Sequence, residues 1–380
     1  MRPLKIILLL LIVWVFSACG EKAPDTEYPV SIQMIEGVKV VSNPDYPRDG
    51  TKRYLMEEEL SIGEADGDEA YMLNRPQDVQ VSEDDTIYIL DWSDVCIKVF
   101  DPKGKYLRTI GRKGQGPGEF EFLTYMALSS DKRIFVMDSV NRRIVVFDIK
   151  GEYLSGSRLE GMLRHIKTDG QNRFYFEKRI QEESAEELPI TEDFQELDVT
   201  VQIFRVEADG EEMFHLGDFI GEKDRLKRTG PEGVISVGSK YNVVWEVDRK
   251  GLLYIGLNDE YKINVLDQEG NKILTFEREY KPVTLVRQLD ELVRKFVMPA
   301  FDPRLAWEFD DEGNLWISFF SENEDEVVYD VFSPEGIYIK QVILPHMIRE
   351  FKNGKVYSIV TTEEGFRAVK RFVLKKTSDS

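Results

Sequence analysis

The sequence predicts an all-β protein built from one repeated four-stranded unit. Residues 78–119 contain four short apolar segments separated by turns rich in Asp and Gly, and residues 125–156 repeat this order almost position for position. Short apolar runs bounded by such turns are typical of β-strands. A four-stranded unit repeated along a chain is typical of β-propellers. We therefore predict a β-propeller with four-stranded blades.

Weaker copies of the unit continue along the chain. They cover residues 163–217, 243–276, 305–342 and 348–373, and the last copy ends one strand short. Together with the two clear copies they predict six blades. A seventh blade would require one of the insertions to hide a further unit.

The missing strand of the last copy is found near the N-terminus. Residues 58–69 resemble residues 106–119, which form the fourth strand of the first unit and the segment that leaves it. Both stretches lead into the first strand of a following unit. The N-terminal strand should therefore complete the last blade, which closes the ring and removes two exposed sheet edges. The predicted propeller spans residues 35–375.

Turns with a fixed composition separate the predicted strands. Asp101 and Gly104 bracket one turn of the first unit, and Asp148 and Gly151 bracket the equivalent turn of the second. Gly supplies a positive φ angle, and Asp hydrogen-bonds the backbone of its own turn. These turns favour the pairing of successive strands as hairpins.

Two charged insertions interrupt the repeat. Residues 181–198 contain eight acidic residues and no basic ones, whereas residues 222–238 carry both charges. We predict a solvated loop in each. A calcium site is the alternative for the acidic insertion, although its carboxylates lack the spacing of an EF-hand loop.

A third insertion, residues 284–297, is predicted to form one amphipathic helix. Leu285, Leu289, Leu292 and Phe296 recur at helical spacing, and a proline lies on each side of the segment. We expect this helix to pack across one face of the propeller. Docking of a partner on the helix is the alternative.

Residues 1–18 have the features of an export signal. Basic residues precede an apolar run at residues 6–16, which is too short to cross a bilayer as a helix. Small residues then precede Cys19, an arrangement that resembles the lipobox of bacterial lipoproteins. The resemblance implies cleavage before Cys19, lipid on that residue, and a tether at residues 19–34. An ordinary signal peptide is the alternative.

The amino-acid composition limits the classes of partner that the protein can bind. The formal net charge is −20, which argues against binding of nucleic acid and against adsorption to anionic lipid. The membrane contact that we expect is the lipid at Cys19. The other cysteine, Cys96, lies in an apolar strand and is predicted to be a core residue without a disulfide.

Residues 75–120 carry a family resemblance. Their Pro-x-x-Val opening, their Tyr-Ile-x-Asp strand and their Gly-rich end resemble an NHL repeat. With the lipobox and six units, the chain resembles the 6-bladed β-propeller lipoproteins of Bacteroidetes-type bacteria. The resemblance implies a six-bladed fold and a location in the cell envelope, at the outer membrane. It implies no catalytic residues.

The sequence offers little support for an enzyme. Metal-dependent propeller lyases and lactonases hold a metal on the axis with His or carboxylate side chains of the innermost strands. Of the histidines, only His165 lies in a predicted innermost strand, and it belongs to no motif. Asp91 and Asp138 occupy equivalent positions of two units, which indicates that they bind the backbone. We predict no metal and no cofactor, with such an enzyme as the alternative.

Binding is the function that the sequence favours. Propellers bind ligands through the loops around the mouth of the central channel. Arginines and an aromatic residue at one mouth would suit a carboxylate, and we expect an envelope protein, a peptide or a glycan as the ligand. The residues predicted to lie there are Arg75, Trp92, Arg142, Arg164, Glu177 and Lys178.

Overall fold

The computed structural model describes most of the chain. Cys19 and most of the acidic insertion lie outside the described part, so their predicted roles stay predictions. The described residues are 28–181, 195–228, 234–239, 241–280, 284–289, 292–297, 300–301, 307–319, 323 and 325–377.

All regular structure in these residues is β-strand, and no helix among them is long and apolar enough to cross a membrane. The strands are β1 Ser31–Ile35, β2 Val38–Asn43, β3 Thr51–Ile62, β4 Pro76–Val81, β5 Ile87–Asp91, β6 Cys96–Phe100, β7 Tyr106–Ile110, β8 Leu123–Leu128, β9 Arg133–Asp138, β10 Arg143–Asp148, β11 Tyr153–Arg158, β12 Met162–Thr168, β13 Phe174–Gln181, β14 Gln195–Val206, β15 Met213–Arg228, β16 Val234–Ser239, β17 Val243–Val247, β18 Leu253–Leu257, β19 Lys262–Leu266, β20 Lys272–Arg278, β21 Thr284–Leu289, β22 Leu292–Val297, β23 Glu308–Phe309, β24 Leu315–Phe319, β25 Val327–Phe332, β26 Tyr338–Leu344, β27 Glu350–Lys352, β28 Lys355–Thr361 and β29 Arg367–Lys376.

The strands form the six predicted blades. Blade I is β4–β7, blade II is β8–β11, blade III is β12–β16, blade IV is β17–β20, blade V is β23–β26, and blade VI is β27–β29 with β3. Within each blade, successive strands pair antiparallel. First strands of neighbouring blades contact one another, as β4 does with β8 and β8 with β12, so they are the innermost strands. The predicted six-bladed, all-β architecture is confirmed.

Strand β3 closes the ring as predicted. Most of it pairs antiparallel with β29, from Ile62 opposite Val369 to Tyr54 opposite Lys376. Its first residues also pair parallel with β26 of blade V, where Thr51 lies opposite Gln341. One N-terminal strand therefore completes blade VI and links it to blade V.

A β-hairpin from the N-terminus extends blade IV. Strand β2 pairs parallel with β20, the outer strand of that blade, and β1 pairs antiparallel with β2. Glu36 and Gly37 form the two-residue turn, both with positive φ, as in a type I′ hairpin. Strand β1 begins at Ser31, inside the segment predicted to be a tether.

Two predictions about insertions are wrong. Residues 284–297 form the hairpin β21–β22 instead of a helix, with Leu285 opposite Phe296 and Leu289 opposite Leu292. Part of the predicted loop at residues 222–238 is also strand, because β15 continues through it and pairs with β16. Cross-strand pairing satisfies the backbone and brings apolar residues of the two strands opposite each other.

The core consists of apolar layers between adjacent blades. Tyr88 of blade I and Phe147 of blade II share one such layer, and Phe276 and Phe332 share another between blades IV and V. The turns match the sequence prediction. At Gly104 the φ angle is +81°, and a Cβ atom there would lie 2.8 Å from a methyl carbon of Leu60.

Candidate functional site

The two ends of the propeller differ in their connections. The lower face carries the Asp–Gly turns that join the first strand of each blade to the second and the third strand to the fourth. The upper face is the end at which the innermost strands begin, and it carries the other connections. All six residues predicted for binding lie at or near this upper end, on β12, β13 and the segments around β4, β5 and β9.

Two buried aspartates fix the loops of the upper face. The Asp91 carboxylate accepts hydrogen bonds from the backbone N–H groups of Arg75, Ser93 and Asp94 at 3.1–3.2 Å. Asp138 in blade II likewise accepts the backbone N–H of Phe122, at 3.2 Å. The predicted backbone-binding role of Asp91 and Asp138 is confirmed.

Arg75 and Trp92 meet at this face. The Arg75 guanidinium carbon lies 3.9 Å from the centroid of the Trp92 ring, a cation–π contact. The Trp92 ring in turn packs edge-on against Phe122, with 5.0 Å between the centroids. Arg142 is exposed in the turn between β9 and β10 and has a positive φ of 51°.

Blade III brings Arg164, Glu177 and Lys178 together. Arg164 of β12 lies opposite Glu177 of β13, and Leu163 lies opposite Lys178. Arg164 and Lys178 are half-buried, but Glu177 is only 3% exposed and lies between blades III and IV, where it accepts a 2.9 Å hydrogen bond from the Trp245 indole. Glu177 therefore lies beneath the mouth and not on its rim.

His165 occupies a β-bulge between Arg164 and Ile166, with a positive φ of 46°. A bulge turns a side chain away from the regular alternation of the strand. The His165 ring consequently lies 4.5 Å from that of Tyr125 and 6.3 Å from that of Trp245. These three rings form an aromatic patch below the upper mouth.

The electrostatics of this patch depend on its burial. Burial and the nearby charge of Lys167 lower the pKa of His165 to about 3, so the imidazole is neutral at physiological pH. Burial also raises the pKa of Glu177 to about 7, although the hydrogen bond from Trp245 favours the carboxylate. Glu177 can therefore gain or lose a proton near neutral pH.

The cations of the mouth are not held in salt bridges. Within the described part of the chain, Arg75, Arg142, Arg164 and Lys178 form no ion pair. By contrast, Arg179, one residue further along β13, is paired with Glu222 and Asp224. The upper mouth thus carries four cations that no salt bridge holds, in a chain whose net charge is −20.

Below the mouth, equivalent residues of the six innermost strands form a group that we call the axial ring. Each lies directly opposite an aromatic residue of the second strand of its blade. The ring residues and their partners are Gln80 and Tyr88, Ala127 and Phe135, Lys167 and Tyr175, Glu246 and Tyr254, Glu308 and Trp316, and Glu350 and Tyr357.

The axial ring holds three carboxyl groups and one ammonium group. Lys167 forms an ion pair with Glu246, and the Gln80 side chain donates a 3.3 Å hydrogen bond to Glu350. Burial raises the pKa of Glu350 to about 8 and that of Glu308 well above its ordinary value. Burial alone would lower the pKa of Lys167, but Glu246 and Glu308 raise it, so the lysine stays charged.

The axial ring was not predicted from the sequence, although the sequence contains a signal for it. Charged residues stand inside the otherwise apolar first strands of four units, at Lys167, Glu246, Glu308 and Glu350. Because unpaired charges are rarely buried, the same position in successive units points to one shared polar surface. Among the described residues, no group of three or more His, Cys, Asp or Glu side chains is placed to hold a metal ion.

Comparison with known proteins agrees with this architecture. Residues 68–217 match a protein family described as a 6-bladed beta-propeller. The predicted resemblance to Bacteroidetes-type six-bladed propellers is thereby confirmed. None of the curated proteins compared with the chain matches it.

Solved propeller structures resemble the chain at the level of the fold. A candidate exported protein from Bacteroides fragilis has a TM-score of 0.51 and 10% identity, over 89% of this chain and 100% of its own. A member of the duf4221 family from Bacteroides vulgatus also has a TM-score of 0.51 and 10% identity, over 86% and 100%. Identities this low establish the propeller fold and nothing about the ligand.

Proposed function

We propose that this chain is a lipid-anchored propeller of the cell envelope, which binds a carboxylate-bearing peptide or glycan at its upper mouth without catalysing a reaction. The observation that carries the proposal is the set of unpaired cations, Arg75, Arg142, Arg164 and Lys178, on one face of an acidic protein. Arginine binds carboxylates through paired, parallel hydrogen bonds, which suits it to this recognition.

The aromatic groups of the mouth support the same kind of ligand. Trp92 is held in place between Arg75 and Phe122, so it offers a rigid apolar surface beside a guanidinium group. Tyr125 and the neutral His165 ring extend this surface toward the axis. Apolar surface with a few well-placed polar groups is the usual composition of a ligand site.

The N-terminal sequence supports the proposed location. A basic start, a short apolar run and small residues before Cys19 support export and lipid attachment. The structural likeness to a candidate exported protein of Bacteroides fragilis agrees with export. The net charge of −20 supports attachment through lipid, because an acidic surface is repelled by anionic headgroups.

The test measures binding to the full lipoprotein in detergent by fluorescence anisotropy. The probes are dye-labelled short peptides with a free C-terminal carboxylate and the same peptides as amides, together with uronic-acid and neutral oligosaccharides. We expect a preference for the acidic forms, and at least a tenfold loss of affinity in Arg164→Gln. Arg249→Gln is the matched control, because Arg249 is an exposed arginine of the lower face.

Equal binding of acid and amide forms, or equal affinity in both variants, would contradict the proposed site. Elemental analysis of the same preparation addresses the enzyme alternative. A stoichiometric divalent ion that is lost in His165→Ala would instead favour a metal-dependent lyase or lactonase.

A further inference from the structure

Strand β1 is an open sheet edge with an apolar surface. It is the last strand of the sheet that contains blade IV, and among the described residues no strand pairs with its outer edge. All five of its residues are exposed, including Ile32 at 53%, Met34 at 68% and Ile35 at 51%. The strand therefore offers both unpaired backbone groups and apolar side chains to solvent.

An exposed edge strand usually contains a charged residue, a proline or a bulge that prevents its pairing with a strand of another molecule. The outer strand of blade I contains Arg108, and that of blade II contains Arg158 and a glycine. Strand β1 contains no charged residue, no proline and no glycine, in a chain of which 32% is charged. Its hairpin is well formed, so this edge is fixed in position and ready to pair.

The sequence of β1 is complementary to itself. If two copies pair antiparallel about Gln33, Ile32 of each copy lies opposite Met34 of the other, on the same face of the joined sheet. Ser31 of each copy then lies opposite Ile35 of the other, and Gln33 pairs with itself on the two-fold axis. No like charges meet, because the strand has none. A two-fold axis requires this self-complementarity of a symmetric interface.

We infer that two copies of this chain associate through β1, which joins the two blade IV sheets into one continuous sheet. The pairing supplies backbone hydrogen bonds along the edge and removes Ile32 and Met34 from water. This association is independent of the upper mouth and of any ligand there.

Site-directed cross-linking of the full lipoprotein in detergent tests the register. In the inferred dimer, the Cβ atoms of the two Gln33 residues lie about 4.5–5.5 Å apart, close enough for a disulfide after a small adjustment. The two Ser31 residues lie four strand positions apart, about 13 Å. We expect Gln33→Cys to form a covalent dimer on oxidation, whereas Ser31→Cys, on the same strand, stays monomeric. Val140→Cys, exposed in blade II, measures random collision.

A second variant tests the apolar contact. Met34→Lys should abolish cross-linking in the Gln33→Cys background and raise the dimer dissociation constant at least tenfold in sedimentation equilibrium. Because Met34 is mostly exposed, the circular dichroism spectrum and the melting temperature of the Met34→Lys variant should match those of the unmodified chain. The inference is overturned if the protein is monomeric at all concentrations, if Ser31→Cys cross-links as well as Gln33→Cys, or if Met34→Lys dimerises normally.

Discussion

Replacement of Lys167 by Met should make the stability of the propeller strongly dependent on pH. Lys167 is the one cation of the axial ring, and it is paired with Glu246. The charge of Lys167 also acts on the other ring carboxyls: Glu308 raises the pKa of Lys167, and Lys167 opposes the rise in the pKa of Glu350. Methionine keeps most of the length of the side chain but leaves the carboxylates without a counter-charge.

The cost can be worked from the protonation of one carboxyl group. Without Lys167, Glu246 is a buried carboxylate that must take up a proton or remain unpaired. Its ordinary pKa is 4.5. At about 1.4 kcal/mol per pH unit, neutralising it costs about 3.4 kcal/mol at pH 7 and about 1.4 kcal/mol at pH 5.5. Burial already raises the pKa of Glu246 while Lys167 is present, so part of this cost exists in the unmodified chain. We therefore expect the Lys167→Met variant to lose up to about 3 kcal/mol at pH 7 and much less at pH 5.5.

Urea unfolding followed by tryptophan fluorescence, at pH 5.5, 7 and 8, measures this difference as a shift of the midpoint. Lys262→Met is the matched control, because Lys262 is exposed and lies 3.9–4.0 Å from its acidic neighbours. Such a surface pair contributes little, about 0.5 kcal/mol or less. The reasoning is refuted if Lys167→Met costs less than about 1 kcal/mol at pH 8, or if its cost does not change with pH.

Three further predictions concern buried acidic groups. The folded pKa of Glu350, about 8, exceeds its ordinary value, so its contribution to the free energy of unfolding is present at low pH and is lost as pH rises toward 8. Glu350→Gln should therefore flatten the fall in urea midpoint between pH 5 and 8.5. An unchanged slope would contradict this. Asp91→Ala leaves three backbone N–H groups unpaired and should lower the free energy of unfolding, measured by thermal unfolding, by about 3 kcal/mol. Asp91→Asn should recover part of this loss. A loss below about 0.5 kcal/mol in Asp91→Ala would contradict the role of Asp91 in fixing the loop. Asp330→Ala should cost about 3–5 kcal/mol in urea, because it removes the buried carboxylate that pairs with Arg278 and accepts hydrogen bonds from Tyr261 and Tyr338; a loss below about 1 kcal/mol would contradict this.

The architecture could be predicted from the sequence because the repeat specifies which strands pair with one another. Alternating apolar runs and Asp–Gly turns specify hairpins, and the likeness of residues 58–69 to residues 106–119 identified the strand that closes blade VI. The second pairing of β3, with β26, was not predictable, because it depends on how far the strand continues beyond its own blade.

The error at residues 284–297 has a simple physical origin. A spacing of four places two residues on one face of a helix, and the same even spacing places them on one face of a strand. Leu285 and Leu289 fit both structures, as do Leu292 and Phe296. The distinguishing feature was Asp290-Glu291, which separates the two halves by the length of a hairpin turn.

The candidate site shows a different limit of sequence analysis. Alignment of the units placed Arg75, Trp92 and Arg164 at one face, but only the fold shows that Arg75 contacts Trp92 and that Glu177 is buried beneath the mouth. Those contacts join residues of different strands or different blades. They depend on the twist and packing of the sheets, which no local pattern encodes.

The upper mouth and the axial ring share the innermost strand of blade III, β12. Arg164 lies on β12 three residues before Lys167, and the bulge at His165 places both residues on the same face of the strand. The carboxyl group opposite Arg164 is that of Glu177, and the Arg164 charge favours the ionised form of Glu177. Because burial raises the pKa of both Glu308 and Glu350, Glu308→Gln removes little negative charge at pH 7 and should leave ligand affinity at the mouth unchanged; a weaker affinity in this variant would show that the ring contributes charge to the site. Under the proposed function, the ring would support the fold beneath the mouth, and the arginines of the mouth would select the ligand.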